Sequence, residues 1–390
     1  MAPSMQVPGK VKDALMVGAS ELTLADRVAG ALWGMMIADA IAMPVHWFYG
    51  GASQILKKYG KPIHGYEAPL SSAGSFPESI MALSSTSGAG RGASDGDIIG
   101  TVINHGKKDF WKRGSGYHYH CSLARGENTL EGEMARLAMR SMAGTASGTA
   151  SGTVSGTASG FNLDRMQDEY VEFMTTPGSH NDAYASSYHR MFFQNKAAGK
   201  PLRDCPSNDG HNVDAIDGLV IPAVVLLGGA AQPEADALAA AKQSVSVTRH
   251  SPRVEGFVTV FSTMLRAVVR GQAAADAAQE AAAQLMGHPL DVSTPDPVVA
   301  CYIDQNYGSL LLLLAKHRDF KSALLANANA GGENVHRGLV LGAVLGAQVG
   351  ASGIPSELKA GLHHREAIEA EIEAFVAARV GVGIPTRSEL

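Results

Sequence analysis

The sequence predicts an all-α protein, a single multi-helix orthogonal bundle, on two observations. From Glu234 onward apolar residues recur at helical spacing over 234–247, 254–271, 273–286, 303–316, 320–328, 335–349 and 364–379, while strand signals are few and short. Gly338, Gly342, Gly346 and Gly350 recur every four residues, and so do Gly30, Gly34, Ala38 and Ala42. On a helix each set forms a ridge without side chains. A glycine inside a helix costs about 1 kcal/mol against alanine, so a closely packed partner is expected to recover the loss. Two such ridges from opposite ends of the chain predict two helices crossing at its centre.

Taken in order, Thr23 with Asp26 marks the start of a helix that should run to about Met43, where Pro44 ends it. The aromatic turn 45–51 leads to a short amphipathic piece, 53–59. Residues 60–97 turn to Gly, Ser and Pro and read as a long loop. Helical patterns resume at 129–142, 163–174 and 183–196, and an apolar run follows Pro222 to about Leu227. Between the first two of these, 144–160 repeats Gly-Thr-Ala-Ser with no apolar face to bury, which predicts a low-complexity insertion. The expected organisation is a flexible segment over 1–22, one helical domain over 23–380 interrupted at 144–160, and a tail over 381–390.

The 390 residues are 45% apolar and 18% charged, with a net charge of -5. That balance provides no electrostatic footprint for nucleic acid. The apolar part of 338–350 is shorter than the roughly 20 residues that span a bilayer. Cys121, Cys205 and Cys301 have no metal-binding spacing, which suits a reducing compartment. The expected location is the cytoplasm, with organellar import left open.

Candidate chemistry gathers in three stretches. Gly331-Gly332-Glu333-Asn334 at a helix start would offer free amides and a dipole to a phosphate, with His336 in the first turn adding a proton donor; the bland reading is a helix start that needs flexible glycines. Tyr117-His118-Tyr119-His120 places both imidazoles on one face if the segment is extended, where they could bind a metal or move protons. Glu127 just beyond is the first choice for a general acid or base, against a capping role. Gly88 to Gly92 could wrap an anion with its amides and Arg91. Asp39, on an otherwise apolar helix, should be buried and paired.

The chain resembles the ADP-ribosylglycohydrolase superfamily. The resemblance is carried by Asp26 to Gly34 with Ala38-Asp39-Ala40 and Pro44, by Gly210 to Pro222 with Thr248-Arg249-His250-Ser251-Pro252, and by Asn329 to Glu333 with the glycine-ridged helix. It implies an all-helical fold and two magnesium ions held by an Asp-Asp-Thr and a terminal Asp-Thr-Asp-Thr. Here the terminal motif reads Glu333-Asn334-Val335-His336 and no Asp-Asp-Thr occurs; Ser94-Asp95-Gly96-Asp97 is the nearest substitute. Glu333, Asp95 and Asp97 are therefore the metal-ligand candidates, Glu127, His118 and His120 the catalytic candidates, and Gly331, Gly332, Asn334, His336 and Arg91 the substrate-binding candidates.

The expected function is hydrolysis of a glycosidic or other C–N bond in a small polar substrate, phosphate- or ADP-ribose-containing by the resemblance. The competing expectation is a catalytically silent binding or structural protein, like the crystallin branch of that superfamily. No cofactor is assigned: magnesium is implied by the resemblance through degraded motifs. A cleft rebuilt around His118, His120, Glu127 and His336 would instead work without magnesium or take zinc.

Overall fold

The computed structural model describes residues 22–83, 98–145, 160–206 and 213–381. Among them are fourteen α-helices and, in place of any sheet, two isolated β-bridges, Ile99 with Ile103 and Ala215 with Tyr302. In chain order the helices are α1 (Leu24–Ala42), α2 (Gly51–Tyr59), α3 (Leu130–Ala143), α4 (Leu163–Thr175), α5 (Ser187–Ala197), α6 (Val220–Gly228), α7 (Glu234–Val245), α8 (Pro252–Val269), α9 (Ala274–Met286), α10 (Ile303–Lys316), α11 (Phe320–Ala330), α12 (Asn334–Gly353), α13 (Ser356–Ala360) and α14 (Arg365–Arg379). The architecture is all-α, as the helical spacing predicts. The expected insertion lies largely outside the described residues, at 146–159, as do the segments 1–21 and 382–390.

Helices α1 and α12 form the core of the bundle. A methyl group at Gly342 would overlap the Gly34 carbonyl, one at Gly346 the Gly30 carbonyl, and one at Gly338 would press on Ala38. The partners run in opposite order, so the two helices cross antiparallel with their backbones in contact. α1 is long and apolar enough to cross a membrane, yet that span is wholly buried inside the bundle. At the far end of the crossing Gly350 takes φ 70°, which breaks the helical path of α12. Asp26 fastens this kink by accepting from the Ser352 amide at 3.1 Å and its hydroxyl at 2.9 Å.

Two elements differ from expectation. Helix α5 begins at Ser187 rather than 183, because outside donors hold the preceding backbone extended. The Asn104 amide donates to the carbonyls of Asp182 and Ala183 at 3.1 and 3.2 Å, and the Trp111 indole donates to Ala183 at 2.9 Å. A carbonyl claimed in this way cannot serve a helix ladder. The short helix α13 has too few residues to show a period, and Leu358 alone anchors it in the core.

Candidate active site

Pro44 ends α1 in a 3₁₀ turn, Met43–Val45, and the chain then reverses through Trp47 at φ 59°. A left-handed tryptophan is a local strain that persists only where its surroundings enforce it. Its amide donates to the Gly332 carbonyl at 2.8 Å, which ties this turn to the start of α12. Gly331 and Gly332 both have positive φ, and a side chain at either would strike the carbonyl of Phe48 or of Val299. These glycines bring two backbones together and leave Glu333 at the N-terminus of α12 facing His46 and Trp47.

Glu333 is the hub of a fully buried cluster. Its Oε1 lies 2.9 Å from His46 Nε2 and 2.8 Å from His336 Nδ1, while Oε2 accepts from the Trp47 indole at 2.5 Å. The His336 nitrogen is off the line a hydrogen bond needs and has no aligned partner. Behind this, His46 Nδ1 meets His120 Nε2 at 2.7 Å in nearly parallel rings, and His120 Nδ1 faces both oxygens of Asp182 at 3.0 Å. Asp182 also accepts from the amides of Leu130 and Tyr184. The result is a continuous polar chain, Asp182–His120–His46–Glu333–His336, through an apolar core.

Electrostatics follow from that packing. Burial alone would raise the Glu333 carboxyl, but His336 and His46 outweigh it and hold the group well below the usual carboxylate range. Burial lowers His46 to about 4 in spite of Glu333. Burial opposes the charge on His336 too, yet Glu333, with Asp217 and Glu131 further off, raises it to about 10. The hub is therefore an ion pair of Glu333 and His336 backed by a neutral His46.

Two further acids stand close by. Asp217 accepts from Arg249 at 2.6 Å and lies 4.0 Å from His336, and Arg249 stacks 3.6 Å above the Tyr188 ring. Glu131 accepts from the Tyr188 hydroxyl, from His189 at 3.1 Å and from Ser186 at 3.3 Å. Ligand atoms of His46, Glu333 and His336 lie within 4.8 Å of one another, and so do those of Glu131, Asp217 and His336.

Glu333, His336 and Asp217 line a cavity of about 270 Å³ together with Trp47, Tyr49, Tyr119, Tyr184, Ser186, Ser187, Cys301 and Tyr302. The rings of Trp47, Tyr119 and Tyr184 stand nearly perpendicular to one another, with centroids 4.4 to 5.3 Å apart. Among the described residues the lining has no lysine or arginine. The walls are aromatic, and the floor carries two carboxylates and one imidazolium.

The sequence candidates fall unevenly around this centre. Glu333 and His336 meet at the floor. His120 joins them through His46, whereas His118 does not reach the cavity: its Nε2 lies 3.1 Å from the His46 carbonyl and its Nδ1 accepts from the His120 amide. Burial drives the His118 pKa well below the usual histidine value, so it braces the turn as a neutral ring. Glu127 is elsewhere, in a separate cleft, accepting from the Ala124 amide at 2.6 Å and lying 3.9 Å from His364. The pairing of Glu127 with His118 and His120 is corrected accordingly.

Gly331, Gly332 and Asn334 are likewise corrected from anion binding to helix-start architecture. The amides of Gly332, Glu333 and Asn334 already donate to the carbonyls of Phe48, Val299 and Gly332, and the Asn334 side chain donates to Ala328. Arg91, Asp95 and Asp97 lie outside the described residues. Asp39 is buried and paired as expected, accepting from the Thr129 hydroxyl and amide and from Asn128 at 2.6 to 2.8 Å. His46, Trp47 and Asp182 carry no motif spacing. The one available signal was a histidine placed in an aromatic turn directly after the opening helix.

The model for the family described as ADP-ribosylglycohydrolase matches residues 20–384. The chain belongs to the ADP-ribosylglycohydrolase family. Among solved structures, the chain is similar to one described as an ADP-ribosylglycohydrolase-related protein complex, at 17% identity and a TM-score of 0.56, covering 92% of this chain and 99% of that one. At that identity the likeness shows the fold. A comparison with curated proteins finds no match. In this chain the Glu333 cluster sits at the meeting of the turn after α1 and the start of α12.

Proposed function

We propose that the protein is a hydrolase that cleaves a glycosidic or other C–N bond of a small polar substrate in the aromatic cavity above Glu333 and His336. The observation that carries this reading is the position of the buried Glu333–His336 pair on the floor of that cavity. A charged pair held away from bulk water by protein contacts keeps its full field and does not have to reorganise during reaction. The cluster of His46, Glu333 and His336 activates water. Trp47, Tyr119 and Tyr184 hold the substrate on their faces, and Ser186, Ser187 and Asp217 supply partners for its hydroxyl groups. With no lysine or arginine in the described lining, a phosphate would be left toward the rim.

The magnesium pair implied by the family resemblance does not fit this donor set. Hard cations take oxygen ligands, but in the cluster of His46, Glu333 and His336 two of the three donors are imidazole nitrogens. The surrounding acids are engaged: Asp217 by Arg249, Glu131 by Tyr188 and His189, and Asp39 by Thr129 and Asn128. The metal site proposed is an altered one.

The test is incubation with ADP-ribosylated arginine, ADP-ribosylated serine, acetyl-ADP-ribose and a phosphate-free ribosyl N-glycoside, with products separated by chromatography. Turnover of at least one is expected. No turnover of any, with or without added divalent metals, would overturn the hydrolase reading in favour of the silent binding protein.

A further inference from the structure

We propose that His46 Nε2, Glu333 Oε1 and His336 Nδ1 form a binding site for a single zinc ion, with its fourth position open to the aromatic cavity. Three independent features of the cluster point to it.

The first is spacing. Zinc bound tetrahedrally at about 2.0–2.1 Å from each donor places its ligand atoms roughly 3.3 Å apart. Here Oε1 of Glu333 is 2.9 Å from His46 Nε2 and 2.8 Å from His336 Nδ1, and all three atoms lie within 4.8 Å of one another. The two sides that meet at Glu333 need to widen by about half an ångström to reach that spacing.

The second is the accounting of protons and lone pairs. His120 Nδ1 faces the Asp182 carboxylate and so carries a proton. Between His120 Nε2 and His46 Nδ1 there is room for one more, at 2.7 Å. When that proton sits on His46 Nδ1, His46 Nε2 turns a lone pair toward the Glu333 carboxylate, which is the tautomer that takes up a cation. A cation between the two atoms would satisfy both. His336 Nδ1, only 3% exposed as a residue, also points at that oxygen without an aligned hydrogen bond. A zinc ion in the middle of the triangle would take the place of the proton on His336 and satisfy all three atoms.

The third is the support behind the donors. A metal-binding histidine usually passes its other ring proton to an acceptor that fixes tautomer and orientation. His46 has His120 and then Asp182 in that position. The Trp47 indole fixes the second oxygen of Glu333. Two imidazoles with one carboxylate make a set that zinc accepts readily and magnesium does not. Because Glu333 and His336 line the cavity, the remaining position would face it, and zinc held there would supply a Lewis acid that activates water near neutral pH. That last role rests on the hydrolase reading; binding does not.

The experiment strips the full-length protein with a chelator, dialyses it against zinc chloride or magnesium chloride, and counts bound metal by elemental analysis. One zinc per chain and no retained magnesium are expected. His336→Gln should weaken zinc binding at least tenfold, while His288→Gln, at an exposed histidine outside the cluster, should not. Cobalt titrated into the wild-type protein should give the intense visible bands of a four-coordinate ion, a measurement that needs no variant. Less than a tenth of an equivalent of zinc, equal binding by His336→Gln, two magnesium ions, or the weak bands of six-coordinate cobalt would each overturn the site. Zinc binding without turnover of any substrate would leave the site standing and sink the hydrolase reading. Turnover by the zinc-free protein would leave the hydrolase reading standing and overturn the role of zinc in it.

Discussion

Oε1 of Glu333 lies 2.9 Å from Nε2 of His46, although the two residues are 287 positions apart. The contact exists because the glycine ridges of α1 and α12 let those helices cross with backbones touching, so the C-terminal end of one meets the N-terminal end of the other. The buried cluster is a consequence of that crossing.

Removing the charge at the hub should abolish most of the activity. Glu333→Gln keeps the shape and one acceptor but no longer supplies a carboxylate, and losses of about 10²–10⁴ are typical for a group that activates water. Steady-state turnover on the substrate found active, with circular dichroism to check the fold, measures this. A loss of less than about tenfold would move the centre away from Glu333.

Gly342→Val should destabilise the protein by about 1–3 kcal/mol or more, since its new carbons would overlap the Gly34 carbonyl at the tightest point of the crossing. Gly308→Ala, within α10, meets nothing within 4 Å and should stabilise by about 0.5–1 kcal/mol. Urea unfolding of the two variants should therefore give opposite signs.

Arg249→Met should cost about 3–5 kcal/mol, because it leaves Asp217 buried without its guanidinium and takes the cation from the face of Tyr188. The double variant Arg249→Met with Asp217→Asn should recover part of that loss. No recovery would mean that the pair contributes by shape alone.

Acid should weaken the fold through Glu131. Burial by itself would raise this carboxyl, but His189, His336 and Tyr188 hold it down to about 2. The folded value lies below the unfolded one, so the stabilisation is complete above the ordinary carboxylate range. It is lost as the pH falls from about 4.5 toward about 2, at roughly 1 kcal/mol per pH unit. Unfolding free energies measured between pH 7 and pH 3 should fall less steeply for Glu131→Gln than for the wild-type protein.

Much of the fold was legible because helices announce themselves locally. Apolar spacing, Thr23 as a cap, and Pro44 as a stop act within a few residues, and the four-residue ridges named the central pair of helices before any contact was known. The start of α5 was not legible, since Asn104 and Trp111 compete for its carbonyls from a distant part of the chain.

For the site the division is sharper. Sequence by itself determined that Glu333 and His336 stand at the start of a glycine-ridged helix. Tertiary structure alone decided that His46 completes the cluster, that His120 and Asp182 stand behind it, and that Glu127 belongs to another cleft. The physical reason is that helix signals reside in neighbouring residues, whereas a cluster of side chains depends on where two helices cross. His46, one unmarked histidine in an aromatic turn, acquires its chemistry only when that crossing brings Glu333 within 2.9 Å.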